Sequence, residues 1–407
     1  MNPVRTIYFD HASTTRPDPR VRESMLPYLG EEYGNPSSHY YTLGQRSSRA
    51  VDQARLEVAA LIGAKPEEII FTSGGTEANN LAIKGLLAEA PRGKDHVVTS
   101  NIEHYSVLNA LRALSGRGFT VTFLPVDDGG LLDPASVEAA ITERTALVTV
   151  MQANGEIGVI QDIAALAAMA TRRGIPFFSD GVASVGTMPV DVGALGVSAL
   201  SLAAHQFYGP KGVGALYLRE GTKLGRLFDG GLQERGYRCG TENVPGIVGL
   251  GVAAAIAREE IPVWNARLVQ LRERLRRGLG EKIDFMNFTG TSERRLPGHV
   301  SFWIEYVEGE SLLLWLSMSG VCAASGSACS SNIKGEDEED LSSSHVLTAI
   351  GVPPEICHGS ICFSLGKEST EEEVDFVIGI MPGIVQRLWA MSPLYAERIS
   401  GAGPAGS

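Results

Sequence analysis

Between Glu68 and Leu218, short apolar runs alternate with stretches whose apolar residues recur at three- and four-residue spacing. The runs Ile69–Thr72, His96–Ser100, Val121–Pro125, Ala146–Met151, Pro176–Ser179, Ala199–Ala203 and Val213–Leu218 predict strands. They are too short for helices and rich in Val, Leu, Ile and Phe. The intervening stretches Ala78–Glu89, Tyr105–Ser115, Pro134–Thr142 and Ile163–Arg173 predict helices with one apolar face. Such alternation demands a mainly parallel sheet with helices on both faces, because parallel neighbours are joined by crossovers. After Val263 the pattern changes. Trp264–Leu279 is amphipathic and charged, and two further helical segments surround a Gly/Ser/Cys-rich loop. This predicts a second, smaller α+β domain.

Composition narrows the class. The 407 residues suffice for two domains with sizeable cores. The chain is 44% hydrophobic and 20% charged, which is ordinary for a globular protein. Its formal charge of -12 argues against direct nucleic-acid binding. No apolar run in the sequence approaches a membrane span. Met1–Asp10 lacks a basic-then-apolar signal pattern, and the five cysteines show no disulfide spacing, so the expected compartment is the cytoplasm. Ser400–Ser407 is built from Gly, Ala, Ser and Pro and is expected to be a disordered tail.

Thr72-Ser73-Gly74-Gly75-Thr76-Glu77 follows a predicted strand and opens a predicted helix. Such a turn offers backbone N–H groups and a helix N-terminus to an anion. Further short signatures are Asp10-His11-Ala12-Ser13-Thr14-Thr15, Asn35-Pro36-Ser37-Ser38, Glu103-His104, Asn154-Gly155-Glu156-Ile157-Gly158, Asp180, His205 within Ser201–Gly212, Arg238-Cys239-Gly240-Thr241-Glu242-Asn243 and Ser325-Gly326-Ser327-Ala328-Cys329. In this order they resemble the cysteine desulfurases of the class V aminotransferase group, which are pyridoxal-phosphate enzymes. The resemblance implies an aspartate-aminotransferase-like transferase fold of α/β class. Its large domain carries a mainly parallel seven-stranded sheet. The expected organisation is an N-terminal segment, 1–20, associated with the small domain; a large domain, 21–262; a small α+β domain, 263–399; and a tail, 400–407.

The resemblance also implies roles. Gly75 and Thr76 hold the cofactor phosphate together with His205, and Thr241 reaches it from the other subunit of a homodimer. His104 stacks on the pyridine ring, Asn154 contacts its hydroxyl side, and Asp180 pairs with the ring nitrogen. Asn35 belongs to the substrate side. Cys329, on a loop, is the nucleophile that carries sulfur as a persulfide.

Four departures fall on this site. Gln206 stands where the family has the lysine that binds the cofactor covalently, and an amide nitrogen neither forms an imine nor takes a proton. Ala203 replaces a phosphate-binding serine. Val182-Ala183 replaces Thr-Gln. Cys362 occupies the position of an arginine that clamps the substrate carboxylate, and a thiol cannot replace that two-pronged bond. The expectations that follow concern an altered pocket. Pyridoxal phosphate is absent or held only non-covalently. An iron–sulfur cluster or another thiolate-bound metal on Cys329, Cys362 and Cys239 is a second occupant left open. Cys322 and Cys357 read as small buried hydrophobes.

The functional expectation is a desulfurase-like protein of sulfur or iron–sulfur metabolism without ordinary cysteine turnover. It would hold sulfur or a metal on Cys329 for a scaffold or sulfur-acceptor partner. A weakly active desulfurase or lyase and a structural subunit of an active desulfurase are the alternatives. The acidic run Gly335-Glu336-Asp337-Glu338-Glu339-Asp340 reads as a solvated arm.

Overall fold

The computed structural model describes residues 6–325, 344–353 and 360–400. Cys329, Cys357, the acidic run 335–340 and the tail 401–407 lie outside them.

In chain order the strands are β1 (Ile7–Tyr8), β2 (Ile69–Thr72), β3 (His96–Ser100), β4 (Thr120–Leu124), β5 (Thr145–Thr149), β6 (Phe177–Asp180), β7 (Ala199–Ala203), β8 (Gly214–Leu218), β9 (Met286–Phe288), β10 (His299–Ile304), β11 (Val321–Cys322) and β12 (Ser360–Ser364). Seven of them form one sheet in the order β2-β8-β7-β6-β5-β3-β4. The pairs β3–β4, β3–β5, β5–β6 and β6–β7 are parallel, whereas β8 runs antiparallel to both β2 and β7. The sheet is therefore mixed but mainly parallel, as the strand–helix alternation requires.

Side chains alternate between its two faces along most of its length. Ile69 and Phe71, Val98, Val148, Phe177, Leu200 and Leu202 join the larger core cluster. Their neighbours Ile70, Val97, Leu147, Phe178 and Ala199 join the second cluster. A period of two with both sets apolar places a helical layer on each face. The helices Gly75–Ala88 and Tyr105–Ser115 supply Leu81, Leu86, Val107 and Leu111 to one layer. The helices Thr42–Ile62 and Val244–Gly280 supply Val58, Ile62, Leu250 and Leu271 to the other.

One helix is longer than its pattern suggested. Trp264–Leu279 is the second half of Val244–Gly280, which runs without a break through Pro262. The glycine-rich first half looks unlike a helix because its glycines serve contact. A Cβ on Gly251 would lie 2.5 Å from Cα of Ala54 and one on Gly249 2.8 Å from Sδ of Met25. Close packing against the helices Pro19–Leu29 and Thr42–Ile62 outweighs the poor helix propensity of glycine.

Apart from β1, the remaining strands lie beyond this helix in the chain. β12, β10 and β9 form an antiparallel sheet, and β1 pairs in parallel with β11. The N-terminal segment thus packs with the C-terminal part of the chain. Glu371–Met391, opened by a Thr370/Glu373 capping box, is long and apolar enough to cross a membrane by length and composition. The raw sequence had shown no such run. Its Val374, Val377, Met381, Ile384 and Val385 are core residues, which accounts for the apolar character.

Candidate functional site

The carboxyl ends of the central strands open onto one cavity of about 390 Å³. Ligands of open α/β sheets bind at this edge, because the strands end there and the following helices begin. Each strand end supplies a different group. β2 leads to Gly74, which adopts φ 154°, a value that favours glycine, and then to the helix beginning at Gly75. The first N–H groups of that helix have no partner within it. A Cβ on Gly75 would lie 2.5 Å from Cγ2 of Val182, so only glycine lets the turn approach the β6 loop.

Asp180 ends β6 and is 4% exposed. Its Oδ2 accepts from Nδ2 of Asn79 at 2.7 Å, and its Oδ1 accepts from the N–H of Val182 at 3.0 Å and from Oγ of Ser201 at 3.3 Å. β7 ends at Ala203 and turns into a short 3₁₀ segment, Ala204–Gln206. There Nδ1 of His205 is buried without a partner, and burial, with Lys211 nearby, lowers the imidazole's pKa. Gln206 is 9% exposed and donates from Nε2 to the carbonyl of Ala12 at 2.9 Å. Two residues on, Tyr208 has φ 65°; its N–H reaches Oγ1 of Thr15 at 2.7 Å and its hydroxyl accepts from the N–H of Lys367 at 2.6 Å. The segment carrying Gln206 is thereby tied to both ends of the chain.

The cavity gathers Gly75, Thr76, His104, Asn154, Asp180, His205, Gln206 and Cys362. Asn154 is there, but its amide is committed to backbone. Nδ2 donates to the carbonyl of Ile102 at 3.0 Å, and Oδ1 accepts from the N–H groups of Glu156 and Ile157 at 2.8 and 3.0 Å. Two expected site residues are not brought in by the single chain. Thr241 and Asn35 are exposed and line no part of the cavity, and Oδ1 of Asn35 caps its own turn on the N–H of Ser37 at 2.9 Å.

Acidic residues missed as site members line the same wall. Glu103 is fully buried, accepts from Oγ of Ser100 at 2.5 Å and from the N–H of Met151 at 3.0 Å, and is pushed up to about 8, chiefly by burial. Glu156 accepts from Oγ of Ser344, and burial pushes it up to about 8 as well. The sequence signal for Glu103 and Glu156 was their place inside short signatures. Asn79 could have been found from helix phase, since it lies one turn beyond Gly75.

Residues 7–377 match the class-V aminotransferase family. The chain is 48% identical over 391 residues to the cysteine desulfurase IscS of Methanosarcina thermophila, covering 96% of this chain and 94% of that protein. The chain belongs to the class-V aminotransferase family, among its cysteine desulfurases. It is also 45% identical over 394 residues to the cysteine desulfurase IscS of Dictyoglomus turgidum, covering 97% of this chain and 98% of the other. A solved NifS-like protein superposes with a TM-score of 0.86 at 35% identity, over 94% of this chain and all of that one.

This kinship corrects the expectations about cofactor and metal. The family works with pyridoxal phosphate, so neither an absent or only non-covalently held cofactor nor an iron–sulfur cluster or other thiolate-bound metal stands as its reading. The residues fit pyridoxal phosphate: an open helix N-terminus, an unpartnered imidazole nitrogen on His205 and a buried, oriented carboxylate on Asp180. The proposed ligand set Cys329, Cys362 and Cys239 does not assemble among the described residues, where no group of three or more metal-binding side chains occurs. Sγ of Cys362 lies 3.1 Å from Nε2 of His299 in β10, and burial pushes this thiol well above the usual thiol range. Cys239 is elsewhere, with its Sγ 3.7 Å from the carbonyl of Phe228. Cys329 lies outside the described residues.

Proposed function

We propose that the chain is a pyridoxal-phosphate protein of sulfur metabolism, of cysteine desulfurase type, with slow cysteine turnover. It hands sulfur from Cys329 to an acceptor or iron–sulfur scaffold partner. Gly75, Thr76 and His205 would hold the phosphate, His104 would cover the ring, and Asp180 would pair with the ring nitrogen. Bound there, the cofactor supplies an electron sink for bond breaking at the substrate's α-carbon. The observation that carries the slow turnover is Gln206. Its amide fills the position between Ala12 and the cavity, and an amide cannot move a proton at pH 7. Cys362, buried against His299, offers no charge to a substrate carboxylate.

A homodimer is part of this reading. Thr241 stands in solvent in the single chain, and Leu29, Tyr33 and Tyr40 are exposed apolar surface on the N-terminal segments. Sedimentation velocity tests it: a monomer at micromolar concentration would refute it. Turnover is tested by sulfide release from L-cysteine with the cofactor supplied. A rate about 10²–10⁴-fold below that of a lysine-bearing relative is expected. A comparable rate would overturn the slow-turnover reading.

A further inference from the structure

Asp180 ends β6 as a carboxylate that can only accept hydrogen bonds. Its Oδ2 lies 2.7 Å from Nδ2 of Asn79, which fixes the amide of Asn79, since the flipped group would set oxygen against oxygen. The second hydrogen of that NH₂ meets Oγ of Ser106 at 2.8 Å. Ser106 has then accepted one bond and has its own hydrogen to give. Nδ1 of His104 lies 2.7 Å from it. The same ring nitrogen accepts from the backbone N–H of Ser106 at 3.1 Å, as the cap of the helix Tyr105–Ser115. A nitrogen facing two donors has no room for a hydrogen of its own. The proton of the neutral ring is therefore on Nε2.

Every step of this chain has one permitted direction, set at one end by the charge of Asp180 and at the other by the backbone N–H of Ser106 donating to Nδ1 of His104. Asn79 is 1% exposed, and its Oδ1 is buried without a partner. The residue is thus not placed to satisfy its own amide; its two donors are what the site uses. We propose that Asn79 and Ser106 are positioning residues that join Asp180 to His104 in one directed hydrogen-bond chain, aiming the carboxylate and holding the imidazole as its Nε2–H tautomer. The two groups expected to grip the cofactor ring, at its nitrogen and across its face, then act as one unit. Only this last consequence rests on the proposed function; the tautomer does not.

The test uses the full chain with ¹⁵N-labelled histidine, His104 being assigned by the signal lost in His104→Gln. The ring nitrogens of His104 in the cofactor-free protein should show the Nε2–H pattern. Ser106→Ala removes the hydroxyl donor but keeps the backbone N–H, so it should weaken that preference, and Ser106→Thr, which keeps the hydroxyl, should retain it in full. An Nδ1–H pattern in the wild type, or an unchanged pattern in Ser106→Ala, would overturn the proposal. Pyridoxal phosphate affinity, followed by absorbance titration, gives the second readout. Asn79→Ala and Ser106→Ala should each weaken it about 10-fold, and together by much less than the product, because both cut one chain. Fully multiplicative losses would refute the connection. A wild type that takes up no pyridoxal phosphate would sink the functional reading, while the nitrogen shifts would still decide the tautomer.

Discussion

Glu156 makes the stability of this protein depend on pH in a direction opposite to that of most carboxylates. Its side chain is half-buried on the cavity wall, where it accepts from Oγ of Ser344, and its pKa is raised from 4.5 to about 8, with burial the dominant cause. A carboxyl raised in the folded state binds a proton that the unfolded chain has already released. Stability is therefore fully present below about pH 4.5 and falls as pH rises towards 8. Each pH decade in that window costs about 1.4 kcal/mol, so Glu156 alone removes on the order of 2–3 kcal/mol between pH 6 and 8. Glu156→Gln keeps the shape and removes the ionisation. Glu103 has the same sign of shift but is present in both proteins, so it largely cancels in their difference. Differential scanning fluorimetry of wild type and Glu156→Gln from pH 5.5 to 8 reads the effect. Extending the size trend of melting, about 1–2 °C per kcal/mol for a chain of this length, the variant should gain roughly 2–5 °C on wild type across the window. A difference that does not change with pH would show that Glu156 ionises normally, and the reasoning from its burial would fail.

Gln206→Lys alone should leave sulfide release near background, because Ala203, Ala183 and Cys362 remain; full recovery of desulfurase activity would show those three to be neutral. Arg55 joins Glu234 through two bonds, the shorter 2.5 Å, and Oε2 of Glu234 also takes the N–H of Phe71 at 2.8 Å. Removing the guanidinium in Arg55→Ala should cost about 3–5 kcal/mol by urea unfolding, since a buried carboxylate is left behind, and a loss under 1 kcal/mol would refute the account. Gly75→Ala should destabilise by about 1–3 kcal/mol and weaken pyridoxal phosphate binding, with Val182→Ala restoring much of both; no effect of Gly75→Ala would mean that the turn relaxes freely. Iodoacetamide on the native protein at pH 8 should spare Cys362, whose thiol is buried and raised, and rapid labelling there would contradict its packing against His299.

Much of the large sheet was legible along the chain. Ile69–Thr72, His96–Ser100 and Ala199–Ala203 are strands at the expected residues, because runs buried on both faces carry no competing helical period. The half-helix 244–262 was not legible, since its glycines lower helix propensity for the sake of contacts that only the partner helix reveals. Asn154 shows the same limit at the site. Its presence in a signature pointed to the cavity, but the commitment of its amide to the backbone at Ile102, Glu156 and Ile157 depends on how the loop folds back.

The sequence by itself determined the α/β alternation, the family and the chemistry that Gln206 cannot perform. These rest on residue type and order, which need no coordinates. Only the tertiary structure decided which groups share a cavity. It set Cys362 against His299 and kept Cys239 away from both. It left Thr241 and Asn35 in solvent in the single chain and linked Asp180 through Asn79 and Ser106 to His104. Burial and hydrogen-bond direction belong to three-dimensional neighbours, and residues one hundred positions apart become neighbours only when the sheet is built.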